Sequence, residues 1–373
     1  MALELLEVLE STRDWKPIHG VRPDNWETRL VETINLLNNK AGYPSHRFEY
    51  LVREAMTTSD FPYLFGDIVY RSMLASYQTA PFVMRQICQI GKRSDFKLGN
   101  VFELYMAEGL LSEKAEKEEY KETSIGEGRY QYQLKEFGKK LNLSWRTLVN
   151  DDLGGFNRIP GWFADVSRAS EEYFLTCKFF GASGPLAAYF SAGNGGAAVS
   201  NLPLTIGNLE TAVTAMMKYT GKNTNPIDNS PMYLMTGPAL AITAQKITES
   251  VMALVATGSS GIAYPTDNTV RKLNLKPLVN RWIPKVVTSG TIADTCWALF
   301  SDPNKIAAAE FGQYTGHENP DIYIKKSDLQ RLGGGDASPL EGDFDSGNVG
   351  YLVRHCFGGC TLDGRAGWAS NGQ

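Results

Sequence analysis

The stretch that most constrains this chain runs from Leu141 to Phe180. Leu141, Leu143 and Trp145 alternate with Asn142 and Ser144, which predicts a strand with one buried face. Asn150-Asp151-Asp152-Leu153-Gly154-Gly155 then forms a polar, glycine-bearing corner. After it, Ile159, Trp162, Phe163, Val166, Ala169, Tyr173, Cys177 and Phe180 recur at spacings of three and four, the signature of an amphipathic helix. Arg168, Glu171, Glu172 and Lys178 lie off that stripe. Asn157 is placed to cap the helix, Pro160 falls in its first turn, and Gly181 and Gly184-Pro185 end it. A helix of about 23 residues is ~34 Å long at about 1.5 Å per residue, well above the usual length. The stretch reads as a rigid beam with strands before it and a separate domain after it. Its expected core residues are Ile159, Trp162, Phe163, Val166, Tyr173 and Phe180.

The rest of the chain divides around the beam. Helical patterns cover the first ~60 residues and continue through Leu64, Ile68, Met73 and Leu74 to about Tyr77, where Ala80-Pro81 breaks them. From Ile87 to Tyr105 the pattern is strand-like. Glu113 to Glu122, EKAEKEEYKE, follows, with eight of ten residues charged and both signs mixed. Ile125-Gly126-Glu127-Gly128 reads as a turn, and Tyr130, Tyr132 and Leu134 as alternate residues of a half-exposed strand. The whole is a polar excursion that leaves and re-enters the fold just before the beam. It reads either as a solvated loop or as a projecting hairpin that meets a neighbouring subunit through charge complementarity. On the second reading the contact residues are Glu113, Lys114, Lys117, Lys121, Arg129 and Tyr130. After the beam, a helix over 205–219, a buried strand at Met232–Met235, a helix opened by Gly237-Pro238 and a strand at Trp297–Phe300 predict an α+β domain. From Ala307 the pattern is β: Ala309–Phe311, Ile322–Ile324 and Val349–Phe357, with a glycine-rich loop at Gly333–Pro339.

Composition excludes several function classes. A net charge of −4 argues against nucleic-acid binding as the primary activity, because phosphate contacts need a basic surface. No apolar run reaches membrane-spanning length, and the acidic N-terminus lacks the basic region of a signal peptide. The five scattered cysteines point to a reducing compartment without a disulfide framework.

Each candidate chemical site fails at a nameable residue. His317-Glu318-Asn319-Pro320-Asp321 begins like a zinc-protease helix, but the second histidine is Asp321, and Pro320 breaks the helix. Glu341 to Asn348 looks like a calcium loop, yet its turn glycine is one place early and Arg354 sits where the bidentate Glu belongs. His355-Cys356 with Cys360 lacks a second Cys/His pair for zinc. Gly193 to Gly196 lacks the Lys-Ser/Thr of a phosphate loop, and there is no G-x-S-x-G motif. Asp151-Asp152 is explained by helix capping. The expectation is therefore a protein that is not an enzyme, with no catalytic, cofactor-binding or metal residues and no cofactor.

Several motifs, taken in order, resemble the major capsid (head) proteins of tailed bacteriophages, nearest to the Mu-type head-subunit group found in actinobacterial phages. They are Thr57-Thr58-Ser59-Asp60-Phe61-Pro62 with Leu64-Phe65-Gly66-Asp67, and the polar hairpin from Glu113 to Leu134. Next come Ser144-Trp145-Arg146-Thr147-Leu148-Val149-Asn150-Asp151-Asp152-Leu153-Gly154, Arg158-Ile159-Pro160 and Leu299-Phe300-Ser301-Asp302-Pro303. The last are Glu341-Gly342-Asp343-Phe344-Asp345, Val353-Arg354-His355-Cys356-Phe357-Gly358-Gly359 and Ala369-Ser370-Asn371-Gly372.

The resemblance implies the α+β fold of tailed-phage and herpesvirus major capsid proteins. It implies an N-terminal arm over 1–60, the start of a peripheral domain over 61–101 and an extended hairpin loop over 102–141. A peripheral domain with its spine helix would cover 142–205, an axial domain 206–303, and C-terminal strands returning to the peripheral domain 304–373. It further implies self-assembly as hexamers and pentamers into an icosahedral head that encloses double-stranded DNA without sequence-specific binding or a membrane. Expected partners are further copies of the chain, portal and scaffolding proteins, and decoration proteins. The head would assemble in the host cytoplasm and reside in the virion. No acidic scaffold domain of ~100 residues is recognisable ahead of the shell domain. An encapsulin-like nanocompartment shell is the alternative with the same fold, and a soluble hydrolase the alternative the site search disfavours.

Overall fold

A computed structural model describes residues 73–78, 82–106, 124–144, 159–256, 263–330 and 342–373, with isolated residues between 110 and 122 and at 332. In chain order the elements are β1 (Cys88–Arg93), β2 (Gly99–Met106), β3 (Ile125–Tyr132), β4 (Lys135–Ser144), α1 (Ile159–Phe179), α2 (Ile206–Met217), β5 (Pro231–Thr236) and α3 (Ala241–Glu249). They continue with β6 (Met252–Ala256), β7 (Ala263–Asp267), β8 (Lys276–Val279), β9 (Trp297–Ser301), β10 (Ala309–Tyr314), β11 (Asp321–Ile324), β12 (Asn348–Thr361) and β13 (Gly367–Ser370). The mixed α+β class is the one expected. The helical patterns before residue 73, the capping Asn157, the corner at 150–155 and the loop at 333–339 lie outside the described residues.

The chain forms two compact units, one of them built from 82–135, 170–316 and 357–373. In this unit β5 pairs in parallel with β8 and antiparallel with β9, and β9 pairs antiparallel with β13. Helices α2 and α3 cover this sheet. Leu209, Val213 and Met216 of α2 join Ala244 and Ile247 of α3, Leu234, Trp297, Leu299 and Trp368 in one buried cluster. Thr205 caps α2 by accepting from the Asn208 N–H. The Trp297 indole donates to the Leu202 carbonyl at 2.9 Å, so its one polar atom is satisfied in the core. A second sheet pairs β1 in parallel with β10, and β10 antiparallel with the Phe357–Thr361 end of β12. The β2–β3 hairpin stands apart as a two-stranded ribbon, with Gly99 opposite Tyr132 and Met106 opposite Ile125.

The other unit contains 136–169 and 317–356 together with the chain before residue 82. Here β11 pairs antiparallel with β12, Asp321 opposite Arg354 and Ile324 opposite Tyr351. Gly138 of β4 sits so close to the Val353 carbonyl that a Cβ there would lie 3.1 Å from it. Burial alternates along this part of β12, with Val349, Tyr351, Val353 and His355 buried.

The beam exists, as a helix of 21 residues, but its buried stripe is not the one expected. Ile159, Phe163 and Phe180 are buried, whereas Trp162 is 55% exposed and Val166 and Tyr173 are also exposed. The buried face runs instead through Ile159, Phe163, Ser167, Glu171, Leu175 and Phe179, with Ala164, Glu172 and Thr176 beside it. It includes the two glutamates placed off the stripe by sequence. Their burial is compensated within their own unit by partners from far along the chain. Glu172 accepts from the Val83 N–H at 2.9 Å and the Met84 N–H at 3.0 Å, filling the donors that open the turn Met84–Ile87. Glu171 pairs with Arg85 at 2.5 Å, and Thr176 Oγ1 accepts from Asn280 at 2.9 Å. Burial still pushes the Glu172 carboxyl up to about 7, against the pull of the two N–H donors.

Candidate functional site

The β2–β3 hairpin is where the molecule departs from ordinary burial. Alternation along β2 puts Phe102 and Leu104 on one face and Val101, Glu103 and Tyr105 on the other. The apolar pair faces outward: Phe102 is 59% exposed, Leu104 66%, and Ile125 near the far end of the ribbon 67%. Arg129 lies opposite Phe102, and Glu127 opposite Leu104, so the apolar strip is flanked by one charge of each sign. The inner face carries Glu103. Glu103 accepts from the Tyr130 hydroxyl at 3.1 Å and from Lys222 at 2.8 Å. Burial and the neighbouring Glu103 carboxylate push the Tyr130 phenol well above its ordinary range.

The root of the hairpin is keyed into glycines. Gly91 and Gly312 are register partners on β1 and β10. A Cβ on Gly312 would lie 2.3 Å from the Tyr132 ring, and one on Gly91 would lie 2.3 Å from Glu310 Oε1. Only glycine leaves the slot in which Tyr132 lies. Its hydroxyl donates to Glu310 Oε1 at 2.7 Å, Gln89 donates to the other oxygen at 2.7 Å, and the Arg93 guanidinium stacks 4.2 Å from the ring centre. Gly358 of β12 is similarly required, because a Cβ there would meet the Gln133 carbonyl at 2.5 Å. The ribbon therefore starts from a fixed, well-partnered base.

Of the residues assigned to the interface by sequence, Glu113, Lys114, Lys117 and Arg129 are exposed. Lys114 sits 4.0 Å over the Tyr120 ring, and Lys121 lies outside the described residues. Tyr130 is turned inward and bonded to Glu103. Ile125-Gly126-Glu127-Gly128, expected as a turn, belongs to strand β3. Its glycines face the inner side, where a Cβ on Gly126 would strike the Tyr105 ring at 2.4 Å and one on Gly128 would lie 2.7 Å from Lys222 Nζ. Sequence reasoning missed Glu103, Tyr105 and Lys222. A charged residue alternating with Phe102 and Leu104 was the available signal for the inverted face.

The rejected chemical motifs have structural uses. Asp343 Oδ1 accepts from the Ser346 N–H at 3.0 Å, the Ser346 hydroxyl at 2.7 Å and the Asn348 N–H at 3.0 Å. These bonds, led by the Ser346 hydroxyl, hold its carboxyl well below the usual range. The acidic loop is thus a backbone turn fastened by its own aspartate. His317 Nδ1 lies 2.6 Å from Asp321 at the start of β11, and Cys356 is buried on β12. Among the described residues no helix is long and apolar enough to cross a membrane, and no three His, Cys, Asp or Glu side chains are grouped to hold a metal ion.

Comparison with known proteins places this geometry. No curated protein is similar enough to match. Among solved structures, a chain from Gordonia phage Cozz is 13% identical, covers 78% of this chain and 85% of that one, and superposes with a TM-score of 0.44. The capsid of the cyanophage P-SCSP1u gives 9% identity, coverage of 78% and 88%, and a TM-score of 0.47. The holo-SrpI encapsulin complex of Synechococcus elongatus PCC 7942 gives 9%, coverage of 79% and 88%, and 0.45. The assignment does not rest on these weak likenesses. The family described as phage capsid protein matches residues 129–370, well over half the chain, from β3 through the beam to the final strand. The chain belongs to the phage capsid protein family, and the α+β architecture described above is the capsid fold expected from its motifs.

Proposed function

We propose that the chain is the major capsid protein of a tailed phage and builds the head that encloses double-stranded DNA. Within the family we assign it to the Mu-type head-subunit group, on the order of its motifs. Its work is done by interfaces rather than by catalysis. One observation carries this reading: a two-stranded ribbon on a fixed base, with Phe102, Leu104 and Ile125 pointing into solvent and Glu103 pointing in. An isolated two-stranded ribbon is marginal in water, and an apolar strip on such a ribbon is complete only when something covers it. A second copy of the chain supplies that cover when subunits gather into hexamers and pentamers. Portal, scaffolding and decoration proteins are the remaining partners in this reading, and host-cytoplasmic assembly precedes the virion. A net charge of −4 suits a container that does not grip its packaged DNA.

The test is electron microscopy and content analysis of purified particles. The reading expects large icosahedral heads filled with double-stranded DNA. Small shells holding protein cargo would replace it with the nanocompartment function. A protein that stays monomeric under all assembly conditions would overturn both.

A further inference from the structure

Beyond the Tyr132 root, the inner face of the hairpin meets a lysine from elsewhere in its unit. Lys222 Nζ lies 2.8 Å from Glu103 Oε2, 5.0 Å from the Tyr105 ring centre and 5.9 Å from that of Tyr130. Gly128, opposite Glu103 in the register, leaves the floor open for the ammonium group. This contact lies four residues along β3 from Tyr132, about 13 Å from the root at about 3.3 Å per residue.

Lys222 is presented by a stiff turn. Thr220 and Pro226 form a β-bridge, the Gly221 N–H donates to the Asn225 carbonyl at 2.7 Å, and Thr224 adopts a left-handed backbone with φ 62°. Arg365 pins the turn from the C-terminal segment. Its Nε donates to the Thr220 carbonyl at 2.7 Å, while Asp363 holds its guanidinium at 2.8 Å. One side of the contact is therefore preorganised. The other side is a ribbon with no further sheet partner among the described residues. The ion pair itself is only half-buried, so it holds the ribbon without committing it, because partly exposed pairs contribute little each.

We propose that Lys222, Glu103, Tyr105 and Tyr130 form a latch that holds the hairpin against its own chain in the unassembled subunit. The latch is given up when the hairpin turns to a neighbouring copy. This second step rests on the assembly reading above; the first does not. Such a latch keeps the apolar strip in one orientation, presented to solvent.

The test is hydrogen–deuterium exchange of the unassembled full chain at low protein concentration, followed by assembly monitored by light scattering. Lys222→Met keeps the stem and removes the charge; Glu103→Gln keeps an acceptor for Tyr130 and removes the ion pair. In both, amides of 99–106 and 125–132 exchange roughly fivefold to tenfold faster, while those of 231–236 and 297–301 are unchanged. Lys222→Arg, which preserves charge and ring contact, stays near wild type. Hairpin exchange unchanged in both charge-removing variants overturns the latch. If Lys222→Met also loosens 231–236, the Glu103→Gln result decides, because it leaves the turn untouched. Faster hairpin exchange with an unchanged assembly rate supports the latch and counts against the assembly role of the hairpin.

Discussion

The sheet covered by α2 and α3 and the β2–β3 hairpin are made from similar residues arranged in opposite senses. In the first, Trp297, Leu299, Leu234 and Trp368 are enclosed in one buried cluster. In the second, Phe102, Leu104 and Ile125 face water while Glu103 is engaged inside. A sheet with one apolar face normally turns that face to its own core. On the proposed assembly, the hairpin's exposed strip is covered by a neighbouring subunit. The first region encloses its apolar residues within the subunit; in the proposed shell the second meets a neighbour.

This contrast breaks if the two regions respond alike to truncation. The largest effect is expected in the enclosed sheet. Trp297→Ala removes a fully buried indole and its bond to Leu202, and should cost ~3–5 kcal/mol in chemical denaturation of the unassembled protein. A next, intermediate effect belongs to the hairpin's root. Gly312→Ala drives a methyl group into the Tyr132 ring and should cost ~1–3 kcal/mol, with the loss largely relieved when Tyr132→Ala is added. No relief in the double variant would show that Tyr132 does not lie on the glycine slot.

Glu172 sharpens the contrast from the side of the core. Its folded pKa, about 7, is raised above the ordinary 4.5, so the folded state holds a proton that the unfolded state has lost. Its contribution to stability is therefore greatest at low pH, declines as pH rises from about 4.5 to about 7, and levels off above that. The stability difference between wild type and Glu172→Gln, followed by thermal melts from pH 5 to pH 8, should shift in favour of the variant across that window. A difference that stays flat would place the carboxyl in a solvated setting.

The smallest stability effects are expected where assembly effects are greatest. Trp162→Ala, read from sequence as a core truncation of ~3–5 kcal/mol, should cost only about 1 kcal/mol, because the side chain is 55% exposed. Phe102→Ser with Leu104→Ser should change subunit stability by no more than ~0.5 kcal/mol each, yet abolish shells in electron micrographs. Reversing Lys114, Lys117 and Lys121 to Glu should likewise leave the subunit folded and impair particle formation. Normal particles from that triple variant would remove the charged tip from the interface.

What the sequence conveyed follows from the range of the interactions involved. Local periodicity revealed the beam, the helix over 205–219, and the strands at Trp297–Phe300 and Val349–Phe357, because each is set by near neighbours. The buried face of the beam was misread because Glu171 and Glu172 find partners at Arg85 and at the Val83 and Met84 amides, 86 to 89 residues away. Charged residues count as solvent-facing until such partners are known. Gly126 and Gly128 suggested a turn for the same reason: their need for space comes from Tyr105 across the ribbon and from Lys222, neither adjacent in sequence. The hairpin was recognisable as an excursion, but charge drew attention to its tip and away from the apolar strip beside it.

The most direct measurement is a cryo-electron microscopy map of the assembled particle at side-chain resolution. The account predicts a closed shell in which Phe102, Leu104 and Ile125 of one subunit are covered by a neighbouring copy. A shell in which that strip still faces solvent would contradict it.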